Sequence, residues 1–217
     1  MQTDSAQEQM IRQQLRTWDV IDDRVLAAVR AVPRDEFVPA RYGDVAYADL
    51  EVPLAHGESM LTPKLEGRIL QALQIGRDDA VLCIGAGSGF LSACLARLGQ
   101  RVLAFERHTD MAAETEERLH RLGLTGNIEI RAEAFSADTQ PGRFDAIAAT
   151  GSMAELPDNL QAALNPGGRL FAVIGTGVVQ HAQLITAHQD GDIRAEFLFE
   201  TELKPLHGFA AEPRFTF

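Results

Sequence analysis

Positive charge is in short supply in this 217-residue chain, where 20 Lys and Arg stand against 31 Asp and Glu and leave a formal net charge of −11. That balance repels a phosphate backbone, and the arginines are scattered rather than clustered, so nucleic acid is not an expected partner. Cysteine is nearly absent, with only Cys83 and Cys94. Two thiols in apolar segments make no disulfide framework, and both read as reduced and buried. No apolar run approaches the ~20 residues of a membrane span. The opening "MQTDSAQEQMIRQQL" lacks the apolar centre of a secretory signal, so the expectation is a cytoplasmic protein with no membrane partner. The six histidines, at 56, 108, 120, 181, 188 and 207, show no ligand spacing, and no metal is expected. Neither an internal repeat nor a low-complexity tract is found.

Hydrophobic residues make up 46% of the chain, enough for one main core plus an appendage. The texture changes near residue 60. Before it, helical signals dominate: "SAQEQMIRQQLRTW" offers Ser5 as an N-cap with Glu8 three residues on, then Met10, Ile11, Leu15 and Trp18 on one stripe. "DDRVLAAVRAV" carries Val25, Leu26, Val29 and Val32 at helical spacing and stops at Pro33. Residues 33–60 read as loop. In "TPKLEGRILQALQI", Thr62 is placed to cap a helix whose first turn holds Pro63.

Beyond this point strands alternate with helices. Strands are expected at 80–84, 101–105, 127–131, 144–149, 169–174, 182–187 and 194–202, with helices near 89–98, 110–122 and 154–164. Such alternation predicts an α/β fold: a mostly parallel sheet with helices on both faces, closed by a strand pair at its end. The expected layout is an N-terminal helical cover over residues 1–60, a Rossmann-like core over 61–205 and a tail over 206–217. Ligands in such sheets bind outside the carboxyl ends of the strands, beside the first one.

That place is taken by "VLCIGAGSGF", residues 81–90. Gly85, Gly87 and Gly89 leave the strand for a helix whose first N–H groups have no internal partner. A dinucleotide loop needs a third glycine at the position of Phe90, so a nicotinamide-dependent oxidoreductase is opposed. The spacing G-x-G-x-G resembles instead the first motif of S-adenosylmethionine-dependent methyltransferases, and the bland alternative is a turn that merely packs a helix on a strand. "RVLAFER" ends in Glu106, near the ~20-residue offset at which an acid meets ribose hydroxyls.

Taken with "VPRDEFVP", "AYADLEVPLAHGESMLTP" and "GRFDAIAATGSMAELPDNLQAALNPGGRLFAVIG", these residues make the chain resemble the protein-L-isoaspartate (D-aspartate) O-methyltransferases over nearly its whole length. The resemblance implies S-adenosyl-L-methionine as cofactor, a protein or peptide substrate and transfer to the carboxylate of isoaspartyl residues in damaged proteins. It also implies a cofactor site at Gly85, Ala86, Gly87, Ser88, Gly89, Glu106, Arg107, Glu133 and Ala134. Three positions depart from the family pattern. The loop that usually reads G-Q-T-I-S-Q-P is here "GESMLTP", with Leu61 at the serine, which leaves Ser59 and Thr62 as candidate catalytic hydroxyls. Cys83 stands where the first motif has an acid. Glu133, Ala134 and Phe135 replace a G-D-G; Glu133 lies one residue early and would supply the acid only after a local shift, and Phe135 is a candidate to stack on adenine, though spacing alone requires neither. These departures keep two alternatives in play: another methyl acceptor, or a methyltransferase-fold binding module serving a partner protein.

Overall fold

The computed structural model describes residues 2–210. In chain order the elements are α1 (Gln2–Met10), α2 (Asp23–Ala31), a hairpin of β1 (Val52–Pro53) and β2 (Ser59–Met60), α3 (Pro63–Leu73), β3 (Ala80–Ile84), α4 (Phe90–Leu98), β4 (Arg101–Phe105), α5 (Thr109–Arg121), β5 (Ile128–Arg131), β6 (Phe144–Met153), α6 (Asp158–Ala162), β7 (Leu164–Thr176), β8 (Val179–Ala187) and β9 (Ile193–Glu200). Seven strands form one sheet in the order β5-β4-β3-β6-β7-β8-β9. Pairing is parallel from β5 through β7 and antiparallel for β7–β8 and β8–β9. The chain winds outward in one direction from β3 to β5 and returns to place β6 on the other flank of β3. That reversal opens a crevice at the carboxyl end of β3.

Every residue of β3 is buried, so both faces of the sheet are covered. Alternate residues serve separate cores: Val81 and Cys83 face a cluster containing Ile11, Leu15, Val25, Leu26, Val29 and Phe171, while Leu82 and Ile84 face one built on Phe105, Phe135, Leu160 and Phe209. The N-terminal helices thus share a continuous core with the sheet. Among the described residues no helix is long and apolar enough to cross a membrane.

The expected strands all form, and β6 and β7 are longer than their apolar runs suggested. Several local expectations change. Helix α1 already includes Ser5, which is therefore no N-cap; its continuation is a π turn at Ile11–Leu15 and a 3-10 turn at Arg16–Trp18, closed by Asp19 at φ 58°. That change of pitch rotates Trp18 off the buried stripe, and it lies 41% exposed with its ring edge-on to Phe199 at 6.3 Å. Thr62 sits at the N-cap of α3 with extended backbone, but its side chain makes no capping hydrogen bond. Helix α6 spans only Asp158–Ala162 rather than 154–164, because Pro157 keeps the residue before it out of helical geometry and Leu164 is taken into β7 opposite Phe144.

Candidate active site

Strand β3 ends at Ile84 and the chain turns through Gly85, Gly87 and Gly89 at φ of 87°, 55° and 88°. The glycines are needed for different reasons. A Cβ on Gly85 would lie 2.3 Å from Thr150 Oγ1 and one on Gly89 2.5 Å from Thr115 Cγ2, so protein packing alone demands both. At Gly87 the nearest atom is Leu54 Cδ1 at 3.6 Å, and the requirement there is positive φ. The turn is tied from behind: Thr150 donates to the carbonyls of Ile84 and Gly85, Thr115 to that of Gly87 at 3.0 Å, and Arg118 to that of Ser88 at 3.0 Å. Phe90 does not face the crevice. Its ring is buried edge-on to Phe37 at 5.7 Å, with the Arg34 guanidinium over its face, so it wedges α4 against the N-terminal layer.

A cavity of about 370 Å³ opens at this turn. It brings together Gly85, Ala86, Gly87 and Ser88 from the turn, Glu106 and Arg107 from the end of β4, Glu133, Ala134 and Phe135 after β5, and Ser59 and Leu61 from the loop before α3. Gly89, packed on Thr115, and Thr62 are not part of the lining. Of the first sixty residues, only Glu51 and Glu58 to Met60 reach it, and Trp18 does not.

Glu106 is 5% exposed, and its carboxylate accepts from Gly87 N–H at 2.9 Å and His108 N–H at 3.0 Å. Both oxygens are held in place while each keeps a further lone pair for a ligand hydroxyl. Phe135 meets Phe105 edge-on at 5.2 Å and lies beside Phe209 at 6.2 Å, which makes it a wall of the cavity as well as a core residue. Cys83 is fully buried behind the turn, and burial pushes its thiol up to about 12, so it is a packing residue without nucleophilic character.

On the acceptor side, Ser59 lies in β2 and donates its hydroxyl proton to Glu51 at 2.8 Å. Leu61 presents its side chain to the cavity while its carbonyl accepts from Arg34 at 2.7 Å. Arg34, wholly buried in the "PRDEFVP" segment, also donates to Ala46 O at 2.9 Å and to Glu66, a buried carboxylate on the cavity wall. Burial pushes the Glu66 carboxyl up to about 7, against the opposing pull of Arg34.

Two features were not expected from sequence. Residues 203–210 cross the crevice as a strap and supply Leu203, Lys204, Pro205, Leu206, His207, Gly208 and Ala210 to the lining. Their only sequence cue is the turn-forming Pro205 and Gly208. The acceptor loop is also pinned to the start of α5: Glu58 pairs with Arg107 at 2.7 Å, His56 with Asp110 at 2.7 Å, and the His56 and His108 rings stack at 4.0 Å. These two histidines and Asp110 place three ligand-capable atoms within 4.8 Å of one another, although linear spacing showed no such set. The rings are within 6° of parallel, so their lone pairs run side by side rather than toward one point.

A five-stranded parallel segment with an antiparallel close, a glycine turn at its switch point, and a fixed acid at the end of the next strand define the nucleotide-type ligand site of a doubly wound α/β fold. The sequence profile of the protein-L-isoaspartate(D-aspartate) O-methyltransferases matches residues 5–208. The chain belongs to that family. It is 37% identical over 215 residues to protein-L-isoaspartate O-methyltransferase 1 of Rhodopseudomonas palustris (strain HaA2), covering 95% of this chain and 87% of the relative. A protein-L-isoaspartate O-methyltransferase of Aeropyrum pernix is 35% identical over 216 residues, covering 96% and 83%. The fold matches a Plasmodium falciparum structure described as a protein-L-isoaspartate O-methyltransferase in complex with S-adenosyl-L-homocysteine, with a TM-score of 0.78 over 94% of this chain and 97% of that one at 24% identity.

Proposed function

We propose that this chain methylates the free carboxylate of isoaspartyl residues in damaged proteins or peptides, with S-adenosyl-L-methionine as donor. The observation that carries the proposal is the single cavity that joins the glycine turn and Glu106 to the acceptor loop around Leu61. When bound, the donor supplies an electrophilic methyl group that an ionised carboxylate oxygen can take without a general base. The chain's own residues then have positioning work to do. Gly85 to Ser88 offer a backbone held rigid by Thr150, Thr115 and Arg118, and Glu106 would hold the donor's ribose hydroxyls with the lone pairs that its two backbone contacts leave over. Arg107, Glu133 and Ala134 line the same cavity and would border the donor's adenine, with Phe135 as a wall. Holding reactants in line supplies about 7–11 kcal/mol in favourable cases.

Of the two candidate hydroxyls in the acceptor loop, Ser59 lines the cavity and must leave Glu51 to serve a carboxylate; Thr62 is the reserve candidate from outside it. The burial of free Cys83 and Cys94 suits a cytoplasmic setting. The described residues before position 61 act as a cover fixed to the core, and of them only Glu51 and Glu58 to Met60 contribute to the cavity. Family membership weighs for an enzyme over a binding module. The test is transfer of a labelled methyl group to an isoaspartyl peptide and to its ordinary aspartyl isomer. Labelling of the isoaspartyl peptide alone is expected, and equal or absent labelling of both would reject the proposal.

A further inference from the structure

We propose that Lys204 is the residue that anchors the acceptor carboxylate, an assignment that rests on the carboxylate-methylating function proposed above. Of the carboxyl groups that line the cavity, Glu58 is paired with Arg107 and Glu66 with Arg34, while Glu51, Glu106 and Glu133 have no cationic partner among the described residues. An anionic acceptor entering such a site meets repulsion unless a cation receives it. Two lysine or arginine side chains line the cavity. Arg107 is already paired with Glu58 at 2.7 Å. Lys204 forms no salt bridge among the described residues, and its ammonium donates to the neutral carbonyl of Gly57 in the acceptor loop.

The root of this side chain is rigid. Lys204 O accepts from Ser152 N–H at 2.9 Å, Leu206 N–H donates back to Ser152 O at 2.8 Å, and Leu203 N–H donates to Gln180 Oε1 at 2.8 Å. The strap is thereby fastened to the carboxyl end of β6, and the lysine stem reaches from it to the acceptor loop. An ammonium carries three donors, so two remain after the Gly57 bond, in a cavity where Leu61 offers no hydroxyl.

The charge of Lys204 also distinguishes substrate from product. Transfer forms a bond between a carboxylate oxygen and the methyl carbon as the methyl carbon–sulfur bond of the donor breaks, its electron pair stays on sulfur, and no proton moves. The acceptor passes from an anion to a neutral ester. An ammonium that holds the first releases the second.

The test compares wild type, Lys204→Met and Lys204→Arg by calorimetric binding of an isoaspartyl peptide in the presence of S-adenosylhomocysteine, with a neutral peptide whose free carboxylate is an amide as control, alongside methyl-transfer kinetics. Loss of a hydrogen bond to a charged group predicts about a ten- to hundred-fold weaker binding of the anionic peptide to Lys204→Met and a matching rise in KM, with kcat within about threefold. Lys204→Arg should recover most of the loss, while S-adenosylhomocysteine affinity and binding of the neutral peptide stay unchanged. Unaltered binding of the anionic peptide to Lys204→Met would overturn the assignment, and so would an equal loss for both peptides, which marks a latch on the loop rather than an anchor. If wild type fails to methylate the isoaspartyl peptide yet binds it in a Lys204-dependent manner, the proposed reaction falls and the anchor stands. A wild type that binds no anionic peptide refutes the anchor as well.

Discussion

Glu106→Ala tests the site in two independent measurements. The carboxylate accepts two backbone N–H groups, from Gly87 and His108, in a position 5% exposed. Hydrogen bonds to charged groups contribute about 1.5–3 kcal/mol each, so removing both has a ceiling near 3–6 kcal/mol. The cavity lets water reach the vacated space, and water restores much of a lost bond, so the unligated protein should lose only part of that, about 2–3 kcal/mol. In a chain of this size each kcal/mol lowers Tm by about 2–4 °C, which predicts a fall of roughly 4–12 °C without ligand. Affinity for S-adenosylhomocysteine should fall a further ten- to hundred-fold, or about 1.5–3 kcal/mol, because the ribose hydroxyls lose their acceptor. Glu106→Gln keeps one acceptor and turns an amide N–H toward the other backbone donor, so it should rescue little. Differential scanning fluorimetry gives the first quantity and calorimetric titration the second. An alanine variant that melts with wild type would show that the turn does not depend on this carboxylate, and an unchanged Kd would remove Glu106 from the cofactor site.

Three further outcomes are expected. Leu61→Ser should raise kcat/KM on an isoaspartyl peptide by about ten- to a hundred-fold through one hydrogen bond to the carboxylate, while costing about 2–3 kcal/mol of stability measured by urea unfolding; no gain in kcat/KM would show that the hydroxyl is dispensable here. Gly85→Ala and Gly89→Ala combine left-handed strain with overlap on Thr150 and Thr115, whereas Gly87→Ala carries the strain alone, about 1–2 kcal/mol, so chemical denaturation should rank Gly87→Ala as the mildest of the three, and the reverse order would contradict the packing described. Glu66 has a folded-state pKa raised to about 7 from an ordinary 4.5, so the folded protein keeps a proton that the unfolded chain releases between those values. Its contribution is complete below pH 4.5 and is lost as pH rises to 7; Glu66→Gln should flatten that decline in a pH series of unfolding free energies, and an unaltered slope would assign it to other groups.

Legibility from sequence followed the range of the forces involved. Strands β3 and β4 were placed at their observed ends because short apolar runs meet glycine or charged breakers within the same few residues. The acid at Glu106 was found because strand length fixes its offset from the turn. The start of β7 at Leu164 was not legible, since "NPGG" reads as a turn and only the neighbouring Phe144 draws it into the sheet. Trp18 was misplaced because a π turn shifts the helical phase without leaving a mark in the hydrophobic pattern. The strap at 203–210 escaped notice for a similar reason: its position is decided by Ser152 and Gln180, which lie far away in the chain. The pairing of Arg34 with Glu66, 32 residues apart, likewise depends on a contact that no local pattern announces.

Among the described residues strand β9 pairs only with β8, which leaves its other side as a sheet edge, and Phe197 is 58% exposed along it. Such a rim is a template on which a second chain can add a strand and begin an aggregate. Arg194, Glu196 and Glu200 stand along the same strand and set charges against any flat approach. The acidic excess of the chain adds a general repulsion between copies. Solubility at high concentration therefore draws on a few charged side chains of β9, far from the chemistry, and neutralising Glu196 and Glu200 would leave a sticky margin at this end of an open sheet.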